Sequence, residues 1–134
     1  MSILFDSSAC IAVLREHPDI VRERAARAVG SGERIFVSSI AVSELWYGIR
    51  LSTRQNVNAS LLEAFLETIL SIPFNDDDAK VAGAIRADLR RQGNKIGSYD
   101  CLIAAQAMRR DLLLITADRG FSRVKGLRWE NWEA

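Results

Sequence analysis

The sequence predicts a three-layer α/β/α sandwich, with helices on both faces of a mainly parallel central sheet. Short, almost wholly apolar runs such as Ile3-Leu4-Phe5, Ile35-Phe36-Val37 and Leu112-Leu113-Leu114-Ile115-Thr116 are too short for helices and read as strands covered on both sides. Longer segments between them carry apolar residues at the helical period, so strands alternate with helices. With 134 residues, 49% hydrophobic and 26% charged, one domain spanning residues 1–134 is expected, and disordered or fibrous classes are excluded.

Each element has a local reason. After the first apolar run, Asp6-Ser7-Ser8 supplies helix-capping side chains for a helix over residues 9–16. His17-Pro18-Asp19 breaks it, a second helix follows over 20–29, and Gly30-Ser31-Gly32 ends that one. Ser38-Ser39 closes the second strand and starts a helix running to Leu51. A polar connector over 52–58 leads to an amphipathic helix whose stripe is Leu61, Leu62, Phe65, Leu66, Ile69 and Leu70. Ile72-Pro73-Phe74 is a weak strand candidate that its proline consigns to a sheet edge. Asp76-Asp77-Asp78 suits the positive end of a helix reaching Gln92, with Val81, Ala84, Ile85 and Leu89 facing inward. After a loop over 93–97, Ser98 is expected to cap a helix to Arg110, ahead of the strand at 112–116 and a short one at Arg128-Trp129-Glu130.

A formal net charge of +1 creates no global field, so an anionic partner has to be held by a local patch. Cys10 and Cys101 lie in apolar stretches and permit one disulfide at most, which suits a reducing, cytoplasmic setting. The apolar run before Asp6 is too short for a signal peptide, and no stretch approaches the roughly 18 residues that span a bilayer, so no membrane is expected.

Ligands of open α/β sheets bind outside the carboxyl ends of the strands. Asp6 follows the first strand, Glu44 lies early in the helix after the second, Asp100 falls in the first turn after Gly97, and Asp118 closes Thr116-Ala117-Asp118. Carboxylates gathered in a half-buried crevice repel one another, so they either keep protons or share a cation. Oxygen ligands without a His or Cys cluster favour magnesium or manganese, and such a site suits phosphate chemistry. Taken singly, each acid has a plainer explanation: Asp6 and Asp118 as helix caps, Asp100 as a complement to a helix dipole, Glu44 as a solvated surface charge. Rival chemistries lack their motifs. There is no Walker-type or dinucleotide-binding glycine loop, and the single histidine, His17, precedes a proline. Arg86, Arg90, Arg91, Arg109, Arg110, Arg119, Arg123 and Lys125 are the cations available for phosphates, although outer-face arginines commonly serve only solubility.

At these residues the chain resembles the PIN-domain proteins, and within them the VapC toxins of toxin–antitoxin pairs. The resemblance is carried by Ile3-Leu4-Phe5-Asp6-Ser7-Ser8, Ser43-Glu44-Leu45-Trp46-Tyr47-Gly48, Gly97-Ser98-Tyr99-Asp100-Cys101-Leu102-Ile103-Ala104-Ala105-Gln106-Ala107 and Leu114-Ile115-Thr116-Ala117-Asp118. It implies that Asp6, Glu44, Asp100 and Asp118 hold Mg2+ or Mn2+ and that the chain is a metal-dependent endoribonuclease acting on RNA, with Ser8 and Thr116 in support. It also implies a homodimer and a VapB-like antitoxin whose basic C-terminal segment lies near the acids; the Leu61-to-Leu70 stripe and the Trp46-Tyr47 helix are apolar surfaces that either make such contacts or simply face the core. One departure stands out: Gly120 precedes Phe121 where many relatives place another acid. The alternatives are a PIN nuclease of RNA processing without an antitoxin, a non-catalytic PIN-like binding module, and an Asp-phosphorylated receiver-type domain.

Overall fold

The computed structural model describes residues 2–15 and 19–133. Five parallel strands form one sheet in the order β3-β2-β1-β4-β5: β1 (Ile3–Phe5), β2 (Ile35–Ser38), β3 (Leu70–Ile72), β4 (Leu113–Ile115) and β5 (Trp129–Glu130). The central strand β1 pairs Ile3 with Ile35 of β2 on one side and with Leu113 of β4 on the other. All three β1 side chains are buried, as a strand covered on both faces requires. Among the described residues, six α-helices flank the sheet: α1 (Ser7–Leu14), α2 (Ile20–Gly30), α3 (Ser39–Leu51), α4 (Gln55–Leu66), α5 (Asp76–Arg91) and α6 (Ser98–Arg109). The predicted three-layer α/β/α sandwich is therefore present, with every strand pair parallel.

The strand order places a topological switch between β1 and β4: the chain builds outward through β2 and β3, then returns to add β4 and β5 on the far side. A crevice opens at such a point beyond the carboxyl ends of the strands. The Asp6 amide donates to the Ile115 carbonyl across this junction, 3.4 Å away, holding the ends of β1 and β4 side by side.

Several local expectations need correction. The α4 helix begins at Gln55, inside the stretch expected to be a connector, and ends at Leu66. Strand β3 starts at Leu70, ahead of Pro73, so Leu70 leaves the helical stripe and is exposed on the sheet edge. Leu61 is also exposed, and only Leu62 of that stripe is fully buried. On α5 the inward face is Ala82, Ile85 and Leu89, and Ala84 points outward. Ser98 is the first residue of α6 and makes no capping bond; Gly97 occupies the cap position. Helix α1 starts two residues earlier than expected, while the predicted break at His17-Pro18 lies outside the described residues. Cys10 and Cys101 are both buried free thiols, without the optional disulfide. Among the described residues, no helix is long and apolar enough to cross a membrane.

The third acid of the Asp76-Asp77-Asp78 run does more than complement a dipole. Asp78 is fully buried and forms a capping box with Asn75, each side chain accepting from the other's amide at 3.0 and 2.9 Å. Its carboxylate also accepts from Arg109 and Arg110, both at 2.7 Å, tying the start of α5 to the end of α6. These two arginines are thus engaged within the fold.

Candidate metal centre

Asp6 is the N-cap of α1, and burial sets its character. Only 4% of the residue is exposed, and Oδ1 accepts from the Ala9 amide at 2.9 Å and from Ser8 Oγ at 2.7 Å. The capping role and the site role coexist, because a cap fixes the carboxylate at the mouth of the crevice. Thr116 at the end of β4 is equally buried; its hydroxyl accepts from the Asp118 amide at 3.0 Å and lies 3.5 Å from Ser8 Oγ. Ser8 in turn accepts from the Ala117 amide at 3.0 Å, so the two strand ends are stitched by hydroxyls.

Glu44 enters from the second turn of α3, whose start is fixed by the buried Ser38 hydroxyl accepting from the Ile40 amide at 3.1 Å. Oε1 of Glu44 is buried and has no hydrogen-bond partner among the described residues. An orphaned carboxylate oxygen is costly to bury and calls for a cation or a donor. Asp100 lies in the first turn of α6, and Asp118 caps the 3-10 turn at Arg119–Arg123, accepting from the Gly120 amide at 2.8 Å. The two neighbouring glycines make this approach possible. A Cβ at Gly97 would stand 3.2 Å from Asp100 Oδ2, and one at Gly120 would stand 3.0 Å from Asp118 Oδ1.

All four acids share one electrostatic neighbourhood. Desolvation raises the Asp6 carboxyl above its usual range, the charge of Asp118 adds to the rise, and hydrogen bonds from Thr116, Ser8 and Ala9 oppose it. Desolvation and the Asp6 charge raise Glu44, with a bond from Ser7 opposing. Asp100 is pushed up to about 6, by desolvation first, then by the charges of Asp118 and Glu44, a hydrogen bond with Asp118, and the charge of Asp6. The four predicted residues are therefore brought to the same crevice. Ser7 is the contributor that sequence reasoning missed, since a serine beside a cap residue carries no signal of its own.

The donor set fits a hard divalent cation. Every candidate ligand is a carboxylate, the charges of the other acids raise Asp6, Glu44 and Asp100, and among the described residues the buried Glu44 Oε1 lacks a hydrogen-bond partner. Among the described residues, no three His, Cys, Asp or Glu side chains are drawn into a finished metal-holding group. The four acids act on one another through their charges rather than as a compact ligand group. Beside them runs a groove of about 370 Å³ lined by Lys95, Ile96, Gly97, Asp100, Asp118 and Arg123.

Comparison with known proteins agrees with this geometry. The PIN domain family model matches residues 3–127, which takes in all four acids. The chain belongs to the PIN domain family. Over 98% of both chains it is 35% identical to the tRNA(fMet)-specific endonuclease VapC of Shigella flexneri and 32% identical to that of Salmonella typhimurium. Ribonuclease VapC2 of Rickettsia felis is 31% identical over 99% of both chains. Among solved structures, VapBC2 from Rickettsia felis bound to a promoter DNA fragment superposes with a TM-score of 0.92 at 30% identity, covering 98% of this PIN domain chain and 99% of that one. DNA-bound VapBC from Salmonella typhimurium superposes at 0.90 with 32% identity, covering 98% of each.

Proposed function

We propose that this PIN domain chain is the toxin of a toxin–antitoxin pair, an endoribonuclease that hydrolyses RNA phosphodiester bonds at the four-acid crevice with magnesium or manganese. The observation that carries the proposal is that Asp6, Glu44, Asp100 and Asp118 act on one another's charge beside the β1/β4 switch point, with the buried Glu44 Oε1 lacking a partner among the described residues. Full-length likeness to chains named VapC ribonuclease supports it.

These four side chains would hold the cation, which when bound polarises the phosphate, lowers the pKa of a coordinated water and stabilises the leaving oxygen. The protein's own part is positional. Ser8 and the Ala9 amide keep Asp6 in one orientation, and Thr116 fixes the backbone that presents Asp118. Burial and its acidic neighbours push Asp100 up to about 6, so a cation held there would favour its charged form. No histidine base is called for. Two buried free thiols suit a reducing cytoplasm.

The relatives' structures as VapBC complexes support a VapB-like antitoxin as partner, and the reading includes a homodimer as the toxin's own assembly. An apolar cleft between α1, α3 and α4, lined by Ile11, Leu14, Leu45, Ile49 and Leu61, is a surface for such a contact. The relatives' names make tRNA(fMet) the first RNA to try.

The test is incubation of purified protein with total RNA and magnesium, followed by mapping of new 5′ ends. Cleavage is expected, with loss on adding EDTA and a fall of about two orders of magnitude or more in Asp6→Asn. Asparagine caps helices as well as aspartate does, so that variant is expected to keep its fold. Cleavage that survives EDTA or Asp6→Asn contradicts the proposal.

A further inference from the structure

We propose that the cavity formed by the end of α5, the loop over residues 93–97 and the start of α6 seats backbone phosphates of the RNA strand flanking the cleavage point. It rests on the ribonuclease reading above and adds a binding site outside the acids. The cavity measures about 720 Å³ and is lined by Arg86, Arg90 and Lys95 together with Asn94 and Ser98, over a floor that includes Ile96 and Cys101.

Three features point to phosphate. The lining contains three cationic residues and no acidic one, in a chain whose net charge is only +1. None of the three side chains makes an ion pair among the described residues, whereas the nearby Asp88 is engaged by Arg91 at 2.8 Å. Arg86 and Arg90 stand four residues apart on α5, hence on one helical face and about 6 Å apart along the axis. That spacing is of the order of the separation between successive phosphates.

The cavity is also placed to serve the acids. Lys95 and Ile96 line both it and the groove holding Asp100 and Asp118, so a strand can pass from one to the other. The shared wall is held by Arg123, which donates to the Lys95 carbonyl at 2.9 Å. Isolated exposed arginines are ordinarily just solvated; here they converge with a lysine on a cavity that opens toward a candidate hydrolytic centre.

The experiment measures binding of a fluorescent single-stranded oligoribonucleotide in EDTA, across a salt series, for wild type, for Arg86→Gln/Arg90→Gln, and for Arg24→Gln/Arg27→Gln, which removes equal charge from α2. The cavity variant is expected to weaken binding about tenfold or more and to reduce the slope of log affinity against log salt by about 1.4, the value for two lost phosphate contacts on a single strand. The α2 variant is expected to stay near wild type. Equal losses in the two variants, an unchanged slope, or no binding by wild type overturns the proposal. Binding that depends on the cavity, in a protein that cuts no RNA when magnesium is added, would keep the phosphate site and overturn the ribonuclease reading instead.

Discussion

At the scale of single residues, the chain's most unusual feature is a carboxyl group, that of Asp100, held at about 6 by burial and by its acidic neighbours. Because the folded state keeps a proton that the unfolded chain releases near the ordinary value of 3.8, stability of the metal-free protein falls as pH rises between about 4 and 6. Raised values at Asp6 and Glu44 act with the same sign. Asp100→Asn should accordingly stabilise the metal-free protein at pH 7.5 by about 1–2 kcal/mol, allowing for solvent screening, and have little effect at pH 4. Urea titrations in EDTA at the two pH values measure this. Manganese should raise Tm at pH 7.5, and by less in the same variant, since a ligand that binds only the folded state stabilises more the tighter it binds.

The links between elements depend on groups that the sequence disguised. Asp78 is a buried carboxylate whose burial alone would raise it, yet hydrogen bonds from Arg110, Arg109 and the Asn75 amide bring it down to about 2. Its contribution is present above about pH 4 and is lost as pH falls toward 2. Asp78→Ala leaves two guanidinium groups without their anchor between α5 and α6 and should cost about 3 kcal/mol, read from the urea midpoint at pH 7. In the sequence Asp78 looks like the third of three equivalent acids, and only the Asn75-to-Asp78 spacing marks it as half of a capping box. Gln106 was similarly hidden: an amide in an apolar helix, it accepts from the Ser38 hydroxyl and donates to the Ile72 carbonyl at 3.0 Å, joining α6 to the ends of β2 and β3.

For the whole molecule, the sheet was legible because buried parallel strands must be uniformly apolar, as Ile3-Leu4-Phe5 and Leu113-Leu114-Ile115 are. Strand β3 was misplaced because Leu70 and Ser71 are exposed, so a sheet-edge strand with one buried residue looked like the tail of an amphipathic helix. Strand order lies beyond local pattern, and it is strand order that sets β1 beside β4 and so brings Asp6 toward Asp118. Asp6, Asp100 and Asp118 were legible because each caps or opens a helix, and Glu44 because it lies early in the helix that follows β2. What their spacing could not convey is the unpartnered Glu44 oxygen, which exists only once α3 is packed.

The most direct test is a crystal structure of the protein grown with manganese, with anomalous scattering used to locate the ion. The account predicts one or more anomalous peaks inside the crevice, with carboxylate oxygens of Asp6, Glu44, Asp100 and Asp118 turned toward them, directly or through water, and Glu44 Oε1 no longer without a partner. A crevice free of anomalous density at saturating manganese, with those oxygens turned away from one another, would contradict it.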